Sequence, residues 1–137
     1  MDKTLLILGC LIFVVLGSLH ALWTLFTDKF EPRDEKLMAD MKRISPKLTG
    51  HLSMWNAWVG FNMSHSLAAI VFGLFYIVVA LENYEYLRSS ITLNILLVTV
   101  PLIFLLLAVK YWFYAPRNGI LAALALIILS LFLRGTA

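Results

Sequence analysis

Cysteine is almost absent: Cys10 stands alone inside an apolar run. One thiol forms no internal disulfide and no cysteine metal cluster, so it is expected to be a small buried hydrophobe. Charge is also scarce, at 14% of residues against 61% hydrophobic, and the mean hydropathy is +0.88. A 137-residue chain of that balance is not an ordinary soluble domain. No basic stripe interleaves with exposed aromatics and no nucleic-acid module is spelled out, so nucleic acid is not an expected partner. No A-x-A-like cleavage site ends the first apolar run, which outlasts the core of a signal peptide and is expected to stay as a helix. Within the apolar runs there is no carboxylate, and no nucleophile sits beside a base. Internal repeats and low-complexity segments are missing too.

What is present is apolar length. A bilayer-crossing helix needs about 20 apolar residues, and four runs meet that need, near 4–26, 51–81, 90–114 and 117–134. They predict an all-α fold: a four-transmembrane-helix bundle forming one integral membrane domain over 1–137, with the bilayer as its surroundings. The only long polar connector follows the first run. Within 33–45, Leu37, Met38, Met41 and Ile44 share one face against Lys36, Asp40, Lys42 and Arg43. That pattern predicts a short interfacial amphipathic helix entered at Pro32 and left by Pro46. Residues 82–86 are expected to turn, Pro101 to kink the third span, and 115–119 to form a tight hairpin.

Positive residues divide unevenly between the loops. Lys29, Arg33, Lys36, Lys42, Arg43, Lys47, Lys110 and Arg117 lie in the first and third loops. Only Lys3, Arg88 and Arg134 lie at the termini and in the second loop, eight against three. The positive-inside rule then places both termini on the non-cytoplasmic side of the cell's inner (plasma) membrane.

Polar groups are costly at membrane depth and face other helices or a cavity. In the first span, Gly9, Phe13, Leu16, His20, Trp23 and Thr27 form one stripe at helical spacing. In the second, Trp55, Trp58, Asn62, His65, Ser66, Ala69 and Tyr76 share a broad face, while Gly60, Ser64 and Ala68 form a small-x-x-x-small row suited to close helix approach. A rise of about 1.5 Å per residue puts His20, Asn62 and His65 at one level, in the half of the bundle nearest the cytoplasm. Trp23, Trp55, Trp58, Tyr111, Trp112 and Tyr114 gather toward the same membrane face, as interfacial aromatics also do.

Three functions compete for these residues. The leading one is a polar pocket binding a lipid-like or amphipathic small molecule, lined by His20, Trp23, Trp55, Trp58, Asn62, His65, Ser66, Tyr111 and Trp112. If that pocket is catalytic, His65 is the acid-base candidate and Asn62 the hydrogen-bond donor. The second is a b-type haem electron-transfer subunit with His20 and His65 as axial ligands. The third is a structural or accessory subunit of a membrane complex, a homo-oligomer or a partnered chain, whose polar side chains only lock helix packing. A zinc site is not expected, because three histidines without a nearby carboxylate fall short of ordinary ligand sets.

His20-x-x-Trp23 and Trp58-x-Gly60-Phe61-Asn62-x-Ser64-His65 resemble a group of small bacterial four-helix integral membrane proteins. The resemblance implies an inner-membrane location and supplies no catalytic residues to carry over. In size and span count the chain also resembles small eicosanoid and glutathione-metabolism membrane enzymes. It lacks the arginine-rich glutathione site expected within their helices.

Overall fold

A computed structural model describes residues 2–135. Among them the secondary structure is all helical: α1 Asp2–Phe26, α2 Glu35–Arg43, α3 Met54–Glu82, α4 Tyr84–Ser89, α5 Ile91–Tyr111 and α6 Tyr114–Gly135. The helices α1, α3, α5 and α6 are each long and apolar enough to cross a membrane. The fold is therefore an all-α bundle with four spanning helices, the pattern of a multi-pass membrane protein.

The boundaries differ from the sequence expectation where capping chemistry intervenes. The second span begins at Met54 rather than His51, because the Ser53 hydroxyl accepts the Asn56 amide at 3.2 Å and starts the helix there. Asp34, not Pro32, opens α2: its carboxylate accepts the amides of Lys36 and Leu37 at 2.8 and 3.0 Å. The turn expected over 82–86 is instead mostly α4, capped by the Asn83 side chain on the Tyr86 amide and drawn inward by fully buried Leu87. The hairpin expected over 115–119 is also helical. The chain turns at Trp112 and Phe113, and Pro116 falls in the first turn of α6, where a missing amide hydrogen leaves no helical bond unmade. Helix α5 continues through buried Pro101 without interruption.

The contacts of the chain form two compact units, Met1–Leu16 with Ala69–Ala137, and Gly17–Ala68. In the first, Leu6, Cys10, Tyr76, Ala80, Leu97 and Ile127 form one buried cluster, and Phe13, Ala69, Ala108, Ile120 and Ala123 another. Phe13 meets Phe72 and Phe104 edge to face, at centroid distances of 5.0 and 5.6 Å. Such pairs add about 0.5–1.5 kcal/mol beyond their buried area. Close helix approach happens here at glycine: a Cβ on Gly9 would lie 2.9 Å from the Ala123 carbonyl oxygen, and one on Gly73 would lie 2.5 Å from that of Cys10.

In the second unit, the Met54 amide donates to the Ile44 carbonyl at 2.8 Å, fastening the start of α3 to the residue that ends α2. No residue of α2 is buried. The small row on α3 does not pack as expected. Gly60, Ser64 and Ala68 are exposed, and a Cβ on Gly60 would meet nothing within 4 Å. Close approach is found instead at Gly9 and Gly73, each opposite a backbone carbonyl and a branched side chain, and at Gly119, opposite the Leu16 side chain.

Candidate functional site

Asn62 organises the polar cluster of the second unit. Its carboxamide nitrogen donates to the carbonyl of Trp58, one helical turn back, at 2.8 Å. That bond orients the amide, leaving Oδ1 directed at His20 Nε2, 2.9 Å away. A carbonyl oxygen only accepts, so Nε2 carries the hydrogen and the lone pair of a neutral His20 lies on Nδ1. No group among the described residues donates to Nδ1. The His65 ring meets that of His20 edge to face at 5.5 Å, and Phe61 lies nearly parallel to His65 at 6.4 Å. From the polar connector, Phe30 tilts over His20 with centroids 4.5 Å apart.

Local structure explains why these groups sit where they do. Asn62 and His65 are three apart on α3 and so share a face, and Asn62 is buried at 6% exposure. Buried Ser66 turns its hydroxyl back to the Asn62 carbonyl at 2.9 Å, so it supports the helix next to the cluster. On α1, Thr24 bonds back to the His20 carbonyl at 2.8 Å. The turn that carries Phe30 is closed by the Glu31 amide on the Asp28 carbonyl at 2.9 Å.

The other sequence-predicted residues are distributed around this centre. Trp23 is half-buried and carries the Lys29 ammonium over its ring at 4.3 Å. Trp55 is half-buried, whereas Trp58 is exposed and takes part through its backbone carbonyl. Tyr111 and Trp112 belong to the other unit: Tyr111 is exposed beneath the Lys110 ammonium, and Trp112 packs edge-on against Phe104. Phe30 was not among the predicted residues. Its sequence signal is that of a lone aromatic in an otherwise polar connector.

For a metal, no group of three or more His, Cys, Asp or Glu is assembled among the described residues. His20 and His65 do not fit axial ligation of a haem iron in this arrangement. Their rings already meet edge to face, and Nε2 of His20 is engaged by Asn62.

A second polar cluster, in the first unit, was not anticipated. The Tyr84 hydroxyl donates to the Asp2 carboxylate at 2.5 Å and accepts from Arg134 Nε at 3.0 Å. Arg134 Nη1 donates to Asn94 Oδ1 at 3.0 Å, and Ser130 Oγ donates to the Asp2 carbonyl at 2.8 Å. Arg134 is only 8% exposed, and its Nη2 has no hydrogen-bond partner among the described residues. Burial pushes the Tyr84 phenol above its ordinary range, and its bond to Asp2 pushes the same way against the opposing Arg134 charge.

No protein-family model, curated protein or solved structure matches this chain.

Proposed function

We propose that this multi-pass membrane protein binds a lipid-like or amphipathic small molecule at His20, Asn62 and His65. The observation that carries the proposal is the His20–Asn62 bond, because it sets the tautomer and leaves an acceptor on half-buried His20, Nδ1, unused among the described residues. An acceptor held in apolar surroundings matches a ligand that brings a hydroxyl or N–H donor on an otherwise apolar body. Phe30 and Phe61 supply flat apolar surface beside the two rings. If the bound molecule is transformed, His65 is the proton-transfer group and Asn62 holds His20 in register. The excess of Lys and Arg in the first and third loops orients this cluster toward the cytoplasm, with α2 lying in the interface.

The test is the lipid profile of the full chain purified in mild detergent, read by mass spectrometry, for wild type, His20→Phe and Asn62→Leu. A species enriched at near-stoichiometric level in wild type and depleted in both variants is the expected result. Unchanged profiles in variants that remain folded would overturn the proposal. They would favour the structural reading instead, which draws its support from the Asn62 amide using both its ends inside the protein.

A further inference from the structure

We propose that an anionic phospholipid binds the open groove where α4 meets α5, its phosphate held by Arg88 and one acyl chain lying along α5. The groove is open to its surroundings and has a volume of about 470 Å³, and Arg88 is the one charged residue among those lining it. Arg88 sits at the end of α4, and one of its N–H groups donates to the Arg134 carbonyl at 3.1 Å. The remaining guanidinium donors have no protein acceptor among the described residues. The anchoring bond holds the cation in place and leaves it able to fork onto a phosphate.

Asn94 fixes the base of this arrangement. Its amide nitrogen shares two hydrogens among the carbonyls of Leu87, Arg88 and Ser90, at 3.0, 3.2 and 2.8 Å, which pins the α4–α5 junction to the first turn of α5. Ser90 caps α5 through its hydroxyl on the Leu93 amide at 3.3 Å. The amides of Ile91 and Thr92 have no acceptor within the helix, and they add positive potential at the same mouth of the groove.

Below this cationic mouth the wall becomes apolar. Ile91, Ile95 and Val98 line the groove along α5, a run of about 10 Å at helical rise. Charge at one end and hydrocarbon at the other is the pattern of a glycerophospholipid. Free phosphate would use the first and leave the second uncovered. The groove lies in the first unit and shares no residue with the His20 cluster.

The full chain, stripped of lipid in detergent, would be mixed with phosphatidylglycerol or with diacylglycerol of the same acyl chains. Retained lipid would be read by native mass spectrometry. Retention of one phosphatidylglycerol without retention of diacylglycerol is expected. Arg88→Gln should lower it roughly tenfold or more, the scale of a lost charge-assisted bond, and Arg117→Gln should not. Ile95→Trp, which keeps the cation and fills the apolar wall, should lower retention as well, so the result does not hang on one variant. Equal retention of the two lipids, insensitivity to both groove variants, or displacement by millimolar inorganic phosphate would each overturn the assignment.

Discussion

Asn62 donates along its own helix and accepts from another, and a side chain with that double engagement tolerates little substitution. Leucine at the same position would leave the His20 Nε2 hydrogen without an acceptor. Interhelical hydrogen bonds in membranes average about 0.6 kcal/mol and reach about 1.7. Asn62→Leu is therefore expected to lower the thermal unfolding midpoint by a few degrees. The tautomer is a separate, sharper expectation. In nitrogen-15 spectra of histidine-labelled protein, the neutral form of His20 should carry its hydrogen on Nε2 rather than on Nδ1, and Asn62→Leu should release that preference. The opposite tautomer would remove the free acceptor from the proposed ligand site. These three residues were legible in the sequence because polar side chains are conspicuous in apolar runs and helical rise places them at one depth. Phe30 was not, since nothing in a loop sequence says where the loop folds back.

Among the elements, glycine marks which helices come close. A methyl group on Gly73 would fall 2.5 Å from the Cys10 carbonyl oxygen and 2.7 Å from Val14 Cγ2. Gly73→Ala is expected to destabilise by about 1–3 kcal/mol, as overpacking does. Gly60→Ala meets open space, and should be neutral or stabilising by up to about 1 kcal/mol through helix propensity. Thermal unfolding of the two variants in one detergent checks the pair, and a reversed order would contradict the described packing. The spans were readable from length, and the stripe of α1 from spacing as far as Trp23; its last expected member, Thr27, lies beyond the helix and is exposed. The small row at Gly60, Ser64 and Ala68 misled because spacing reports which residues share a face, not whether a neighbour lies opposite. Helix ends moved for a similar reason: Asp34, Asn83 and Ser53 decide them through single bonds that hydropathy does not register.

At the scale of the whole molecule, Asp2, Tyr84, Asn94 and Arg134 join α1, α4, α5 and α6. The sequence hid this network, because charged residues at the ends of apolar helices are ordinarily solvated and the partners lie far apart in the chain. Arg134→Ala leaves the Tyr84 hydroxyl and the Asn94 carbonyl oxygen without that donor, and a buried polar group left unsatisfied costs about 1–3 kcal/mol. Denaturation in detergent should register a loss of that size, well beyond that of Arg117→Ala. The raised Tyr84 phenol sets an alkaline limit. Its contribution is fully present below the ordinary phenol range near about 10 and is lost as pH rises through the higher folded-state value. Tyr84→Phe should therefore be less stable than wild type at neutral pH and lose less on going to strong alkali. Parallel stability curves for the two proteins would contradict that role.

The hydroxyl of Ser130 on the Asp2 backbone and the guanidinium of Arg134 on Tyr84 fasten the start of α1 with groups from the last two turns of α6. During biosynthesis α6 leaves the ribosome after α1, α3, α4 and α5, so the start of α1 waits with these bonds unmade until Ser130 and Arg134 have been added. A nascent chain halted before Ser130 cannot close this junction.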